Sequence, residues 1–462
     1  MNTVDDLARR LGPVCESAVS PLEVASALEF DGFSDRAARD EYGADDVFAL
    51  ARDLYDRVPR RPAPPAAAPG PWDGGRLRPL LHGGLYALPA VFFPAGAALL
   101  AGPGVVPVLV TALLAGWGLS QALAAVGYTR LGTAGPAGAS RVLRAGLLAC
   151  LLAAGTVLAV AAPASGARAP AALFGAGEAA YMLAACVLLV LDTERWLIAA
   201  LSPGAAGAAV YLGLGQPPRL EHLAWASIAA TPLLACVLAL SPRVVPGWRP
   251  SGGYAGPGWV PASVPTRAEL RAALPAALLG LAAAGLLALP VAAGPDGTGG
   301  PSPGAVIAAV PMALSMGAAE GSLAWFRRRG QALLRATGDP RWFGRRARLA
   351  LAGALSAYLA VTVTLVSLAA AVAALTGQVT RGWPVLAEAG GYVLLGSALF
   401  SVLLLQSARV RAVPLALCAA ALAAEYALRR HGLVVQAGVP AVLAVAATTY
   451  ALARAGRTTL HT

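Results

Sequence analysis

Residues 105–164 read VVPVLVTALLAGWGLSQALAAVGYTRLGTAGPAGASRVLRAGLLACLLAAGTVLAVAAPA. Two apolar runs, Val105–Tyr128 and Ala145–Ala164, flank a short stretch that carries Arg130, Arg141 and Arg144. A hydrocarbon core of about 30 Å is crossed by about 20 helical residues. Each run is therefore long enough to span a bilayer once, and the arginines mark the side on which the chain turns back. The stretch predicts a transmembrane helical hairpin, and the fold depends on how often that pattern recurs.

It recurs along most of the chain. Ten further runs of the same kind are Leu80–Ala101, Ala171–Leu191, Trp196–Leu214, Leu223–Leu240, Ala272–Ala293, Gly304–Phe326, Leu349–Leu375, Pro384–Leu405, Val413–Leu428 and Leu433–Leu452. Composition agrees: 57% of the residues are hydrophobic and 13% charged, against about 45–50% and about 25% in soluble domains. The expected fold is all-α, a polytopic membrane protein of about twelve transmembrane helices.

The 35 basic residues are all arginine. The net charge of +11 does not describe a nucleic-acid groove, because residues 1–79 hold 10 Arg and 14 acids while the remainder holds 25 Arg and 10 acids. The excess lies in short loops, where it fixes topology and attracts anionic headgroups. Placing the N-terminus inside puts 25 arginines in or beside the inner loops and five outside (Arg168, Arg219, Arg381, Arg429 and Arg430). That asymmetry supports twelve crossings with both termini cytoplasmic, in a bacterial cytoplasmic membrane.

Five domains follow. Residues 1–59 are expected to form a cytoplasmic three-helix head. Its helices are bounded by the capping box Ser20-Pro21-Leu22-Glu23, by Gly32 and Ser34, by Gly43, and by Asp45 with Asp46. In the last helix Val47, Leu50, Ala51, Leu54 and Tyr55 recur at helical spacing. Residues 60–79 are a proline-rich linker. Residues 80–240 form a first transmembrane lobe, 241–271 a cytoplasmic loop and 272–462 a second lobe. Six spans per lobe is even, so the lobes would be parallel repeats. The best internal match sets Gly118-Leu119-Ser120-Gln121 and Arg130 against Gly317-Ala318-Ala319-Glu320 and Arg329.

Ionisable groups at membrane depth are costly and mark functional sites by default. Four acids fall within runs: Glu178, Glu320, Glu388 and Glu425. Glu320 and Gln121 are expected to line a cavity between the lobes, with Glu178 as a coupling acid. Glu320 could equally snorkel to Arg327–Arg329, and Glu178 could serve helix packing. Glu388 and Glu425 are expected at the interface. Arg327, Arg328, Arg329, Arg345 and Arg346 lie in FRRRGQALLRATGDPRWFGRRARLAL (326–351), whose alternation of arginine with Leu333, Leu334, Trp342 and Phe343 suits a helix lying among lipid headgroups. No metal site, disulfide framework, cofactor motif or enzymatic signature is present: the four histidines are scattered and no two cysteines have CxxC spacing.

The segments GWGLSQALAAVGYTRLG, SRVLRAGLL and VPMALSMGAAEGSLAWFRRRGQALLRATGDPRWFGRRARLAL resemble corresponding parts of the multidrug, oligosaccharidyl-lipid and polysaccharide (MOP) flippase superfamily. That resemblance implies two six-helix lobes, alternating access, and export of an envelope polysaccharide precursor or an amphiphile. The head segment DGFSDRAARDEYGADDVFALARDLY resembles heads of actinobacterial membrane proteins, and this implies no activity. A competing expectation is a non-transporting scaffold whose head recruits a cytoplasmic protein through the face around Phe48 and Leu54. The remaining expected partners are membrane lipids and a lipid-linked or amphiphilic substrate.

Overall fold

The computed structural model describes residues 4–18, 20–59, 84–85, 88–100, 102–244, 264–293, 303–336, 340–375, 383–408, 410–428 and 431–457. The chain divides into two compact units, Met1–Asp73 and Gly74–Thr462. Among the described residues the secondary structure is helical throughout. The linker 60–79, most of the loop 241–271, and Arg429 with Arg430 lie outside the described residues.

The head contains α1 (Val4–Arg10), α2 (Gly12–Ser17), α3 (Pro21–Phe30), α4 (Asp35–Tyr42) and α5 (Val47–Arg57). The three expected helices are α3 to α5, and two shorter ones precede them. Ser34 accepts a hydrogen bond from Ala37 N at 3.3 Å and Asp46 from Ala49 N at 2.6 Å, so α4 and α5 both start on side-chain caps. Gly43 adopts φ 70°, the left-handed conformation that ends α4. Ser20 differs from expectation: it sits at the N-cap of α3 with extended backbone, but its hydroxyl makes no cap bond and Pro21 sets the entry. Leu7, Leu11, Cys15, Val24, Leu28, Leu50 and Leu54 form the buried core. Leu54 is fully buried, which corrects its expected place on a docking face; of that pair only Phe48 is exposed.

In the second unit the first expected span, Leu80–Ala101, is not a regular helix. The described part is a 3₁₀ turn at Leu88–Val91, one α-turn, α6 (Phe92–Ala95), and then further turns. Pro89 and Pro94 each remove a backbone donor, which prevents a continuous ladder. Next comes α7 (Val105–Ala164), two arms that meet at Gly135, whose φ of 66° and ψ of −175° break the helix just before Pro136. The arms fold back on each other: a Cβ on Gly127 would lie 2.7 Å from Leu143, and one on Gly146 would lie 2.6 Å from Leu123. The two glycines leave room for leucine side chains where the arms meet, and the hairpin read from the sequence is present.

The remaining helices are α8 (Ala169–Val190), α9 (Glu194–Gly213), α10 (Pro218–Leu240), α11 (Arg267–Ala293), α12 (Pro303–Ala336), α13 (Pro340–Leu375), α14 (Trp383–Ser407), α15 (Ala412–Leu428) and α16 (Leu433–Ala455). With both arms of α7 and the irregular first segment these match the about twelve segments expected from the sequence. The arginine-rich stretch 326–351 does not form a separate helix in the membrane plane. It is the end of α12 and the start of α13, because apolar residues continue at helical spacing through it: Leu333, Phe343 and Ala347 pack together between the two arms. Large apolar side chains elsewhere point outward, with Leu152 74%, Val442 70% and Leu233 67% exposed. Faces of this kind need lipid rather than water as solvent, and the chain is a multi-pass membrane protein.

Each half of the body has its own core. Leu143, Leu147, Leu183, Leu188, Leu197 and Leu201 belong to one cluster drawn from residues 85–244. Leu286, Leu395, Val402 and Cys418 belong to another, and Phe326, Tyr358 and Phe400 to a third, both from the second half. Among the described residues only one buried cluster mixes the halves: Val126, Val142 and Ala273.

Candidate functional site

The joint between the halves is an antiparallel crossing of the first arm of α7 with α11. A Cβ on Gly118 would lie 2.8 Å from Leu281, and one on Gly280 would lie 2.8 Å from Gln121. Glycine therefore lets the two backbones approach at mid-helix. Gln121 leaves its own half there: it accepts a hydrogen bond from Gln406 Nε2 of α14 at 3.2 Å. Two to three turns further along α7, at the arginine-bearing end, Arg130 meets Glu269 of α11. Their Nη2–Oε2 distance is 2.9 Å and Nε–Oε1 is 2.5 Å, with side chains 7% and 16% exposed. The 3₁₀ turn adds a contact with α12. Beyond the joint each helix packs into its own half, Val108 and Ala112 beside Gly175 of α8 and Gly285 beside Leu422 of α15.

Glu269 is held in place by local sequence. Thr266 Oγ1 accepts from Glu269 N at 3.2 Å while Glu269 Oε2 accepts from Thr266 N at 2.7 Å. This reciprocal pair is a capping box written as Thr266-Arg267-Ala268-Glu269. The carboxylate thus stabilises the N-terminus of α11 and faces a guanidinium of the other half. Arg144, on the second arm of α7, donates to the carbonyls of Ser241 and Val244 at 2.8 and 2.9 Å. It satisfies acceptors at the C-terminus of α10. Neither role was read from the sequence, although the spacing T-x-x-E at the head of an apolar run is the signal that would have found Glu269.

The acids in the spans separate by partner. Glu320 is half-buried on α12, next to Ala319 of the second half's core; its neighbour in the expected site, Gln121, bonds Gln406. Glu178 is half-buried on α8, and its Oε2 is shielded from solvent with no hydrogen-bond partner among the described residues. Glu388 is 6% exposed and accepts from Gly304 N at 3.2 Å. It is a buried cap on the N-terminus of α12, where the helix dipole favours a carboxylate. Glu425 is also buried, at 3% exposed, and its Oε2 has no hydrogen-bond partner among the described residues. Tyr392, one turn from Glu388, lies within electrostatic reach of both. Of the headgroup candidates, Arg328, Arg329, Arg345 and Arg346 are exposed and Arg327 is half-buried.

No family model and no curated protein matches the chain. The chain is similar to a MOP superfamily transporter from Pyrococcus furiosus, with a TM-score of 0.49 and 14% identity over 82% of this chain and 96% of that one. It is also similar to an outward-facing multidrug resistance MATE family transporter of the MOP superfamily (TM-score 0.46, 13% identity, 82% and 94% covered). A third is a MATE in complex with MaL6 (TM-score 0.45, 15% identity, 82% and 94% covered). Residue roles in this chain rest on its own geometry.

Proposed function

We propose that this protein is a transporter of the bacterial cytoplasmic membrane, with both termini cytoplasmic, which exports an envelope polysaccharide precursor or another amphiphile by rocking its two halves against each other. One observation carries this reading: two halves with separate cores meet at one helix crossing that carries exchangeable polar links, Gln121 to Gln406 and Arg130 to Glu269. Packed cores resist gradual deformation, so motion concentrates where separate cores meet and the bonds between them can be exchanged. In this scheme the Arg130–Glu269 pair closes the cytoplasmic side. Gln121 and Glu320 line the path once Gln406 is released, and Glu178 is the coupling acid. An unpartnered carboxylate in a span is costly, and exchange of a proton with the transport path gives that cost a use.

Flux in proteoliposomes tests it. Glu178→Gln should abolish the response of flux to an imposed pH gradient with membrane abundance unchanged, whereas a gradient response equal to wild type removes Glu178 from the mechanism. The scaffold reading retains one supporting observation, since Phe30 is 84% and Phe48 45% exposed on the head. Deleting residues 1–60 separates the two: a transporter keeps flux, a scaffold loses its cytoplasmic protein partner.

A further inference from the structure

The α12–α13 arms form a hairpin whose register is set by its core. Phe326 shares a cluster with Ala350 and Leu351, and Leu333 shares one with Phe343 and Ala347. Positions summing to about 676 are therefore level with each other, which places Arg328 beside Arg348 and Arg345 and Arg346 about two to three residues further along. At 1.5 Å per residue, the five positions Arg328, Arg329, Arg345, Arg346 and Arg348 fall within about 5 Å along the hairpin axis. All five are exposed. Immediately on the apolar side stand Trp325 and Leu349, 45% and 60% exposed, and tryptophan marks the level of the membrane interface.

This belt has no counter-charge among the described residues. Among the described residues none of the five forms an ion pair with an acid, and Asp339 is the one acid in the sequence from 321 to 387. Arg346 lies over the ring of Trp342 at 5.3 Å, which holds the guanidinium without neutralising it. Arg348 lies against Gly456 at the end of α16, so the belt is braced by a second helix. Five guanidinium groups at one level, just below an aromatic and an aliphatic side chain, match a phosphodiester headgroup with its acyl chain alongside.

We propose that this belt binds acidic phospholipids, phosphatidylglycerol or its dimeric relatives, in the leaflet it faces. The proposal holds whether or not the body transports.

The test titrates dioleoyl phosphatidylglycerol and dioleoyl phosphatidylcholine onto the full chain in neutral detergent and compares apparent Kd values by native mass spectrometry. An arginine near an acidic surface contributes roughly fivefold to binding. The triple variant R328Q/R329Q/R345Q should therefore lose at least about tenfold of the preference for phosphatidylglycerol, while the corresponding triple lysine variant keeps most of it. Arg219→Gln, at the start of α10, should leave the preference unchanged. An unchanged preference in the glutamine variant, or an equal loss with Arg219→Gln, overturns the proposal. So does displacement of the lipid by millimolar inorganic phosphate, which would assign the belt to a soluble phosphate. If the glutamine variant does not yield monodisperse protein, the wild-type preference under rising salt decides: it must fall, and a constant preference overturns the proposal.

Discussion

Glu269→Gln removes the charge that Arg130 faces across the joint and keeps a side chain able to cap Thr266 N. The guanidinium is then left in a site where its side chain is 7% exposed. Removing one partner of a fully buried pair costs about 3–5 kcal/mol. Glu269 is 16% exposed and sits near the end of its helix, so solvent screening reduces the figure to about 2 kcal/mol. Where the pair exists only while the arginine-bearing ends are together, that cost shifts the balance between joined and parted states by roughly 30-fold. A cross-link reports it. Val126→Cys with Ala273→Cys places two thiols in the one cluster shared by the halves, and oxidation should trap the joined state quickly in an otherwise wild-type chain. Adding Glu269→Gln should slow cross-linking by about tenfold or more, and the swap Arg130→Glu with Glu269→Arg should recover part of the rate. Equal cross-linking rates with and without Glu269→Gln, at equal membrane abundance, would refute the role given to this pair.

Gly391→Ala should prevent α14 from packing on α16, because its Cβ would meet the backbone oxygen of Gln436 at 2.6 Å; Gly390→Ala, with nothing within 4 Å, should be near neutral, and unfolding temperatures in detergent compare them. Glu388→Ala leaves Gly304 N–H buried without an acceptor and should cost about 1–3 kcal/mol, seen as a lower unfolding temperature. In the head, burial pushes the Cys15 thiol above its ordinary range, so folding favours the neutral form. That contribution is complete below the ordinary thiol pKa of about 8.5 and is lost as the pH rises above it. Alkylation of Cys15 in the folded chain should accordingly be much slower than in denaturant at pH 8.

The sequence disclosed whatever depends on local pattern. Hydropathy located α7 to α16 because lipid-facing side chains must be apolar over a fixed length, and Ser34, Gly43 and Asp46 marked helix ends because their caps are made within four residues. It did not show what depends on partners distant in the chain. Glu388 sits one turn into a span, which suggested the interface, and its use as a cap on Gly304, 84 positions away, has no local signal. Gln121 was matched to Glu320 by internal similarity, whereas its bond to Gln406 arises only from the crossing of α7, α11 and α14. Two features were legible in the sequence alone: Pro89 and Pro94 argue against a regular first helix, and Thr266 to Glu269 spell a cap. The arginine-rich stretch was misread because an amphipathic pattern suits a helix on a membrane surface and a helix paired with another equally well.

Relative motion of the halves can be measured without knowing the substrate. Spin labels at Leu173 and Leu386, one in each half and both exposed, report one end of the body, and labels at Tyr128 and Leu274, also exposed, report the other. Pulsed dipolar distances in lipid vesicles should show two populations for each pair, and Glu269→Gln should lengthen the Tyr128–Leu274 distances while shortening those of Leu173–Leu386. A single distance for each pair, unmoved by Glu269→Gln, would contradict a body built from two halves that part and rejoin.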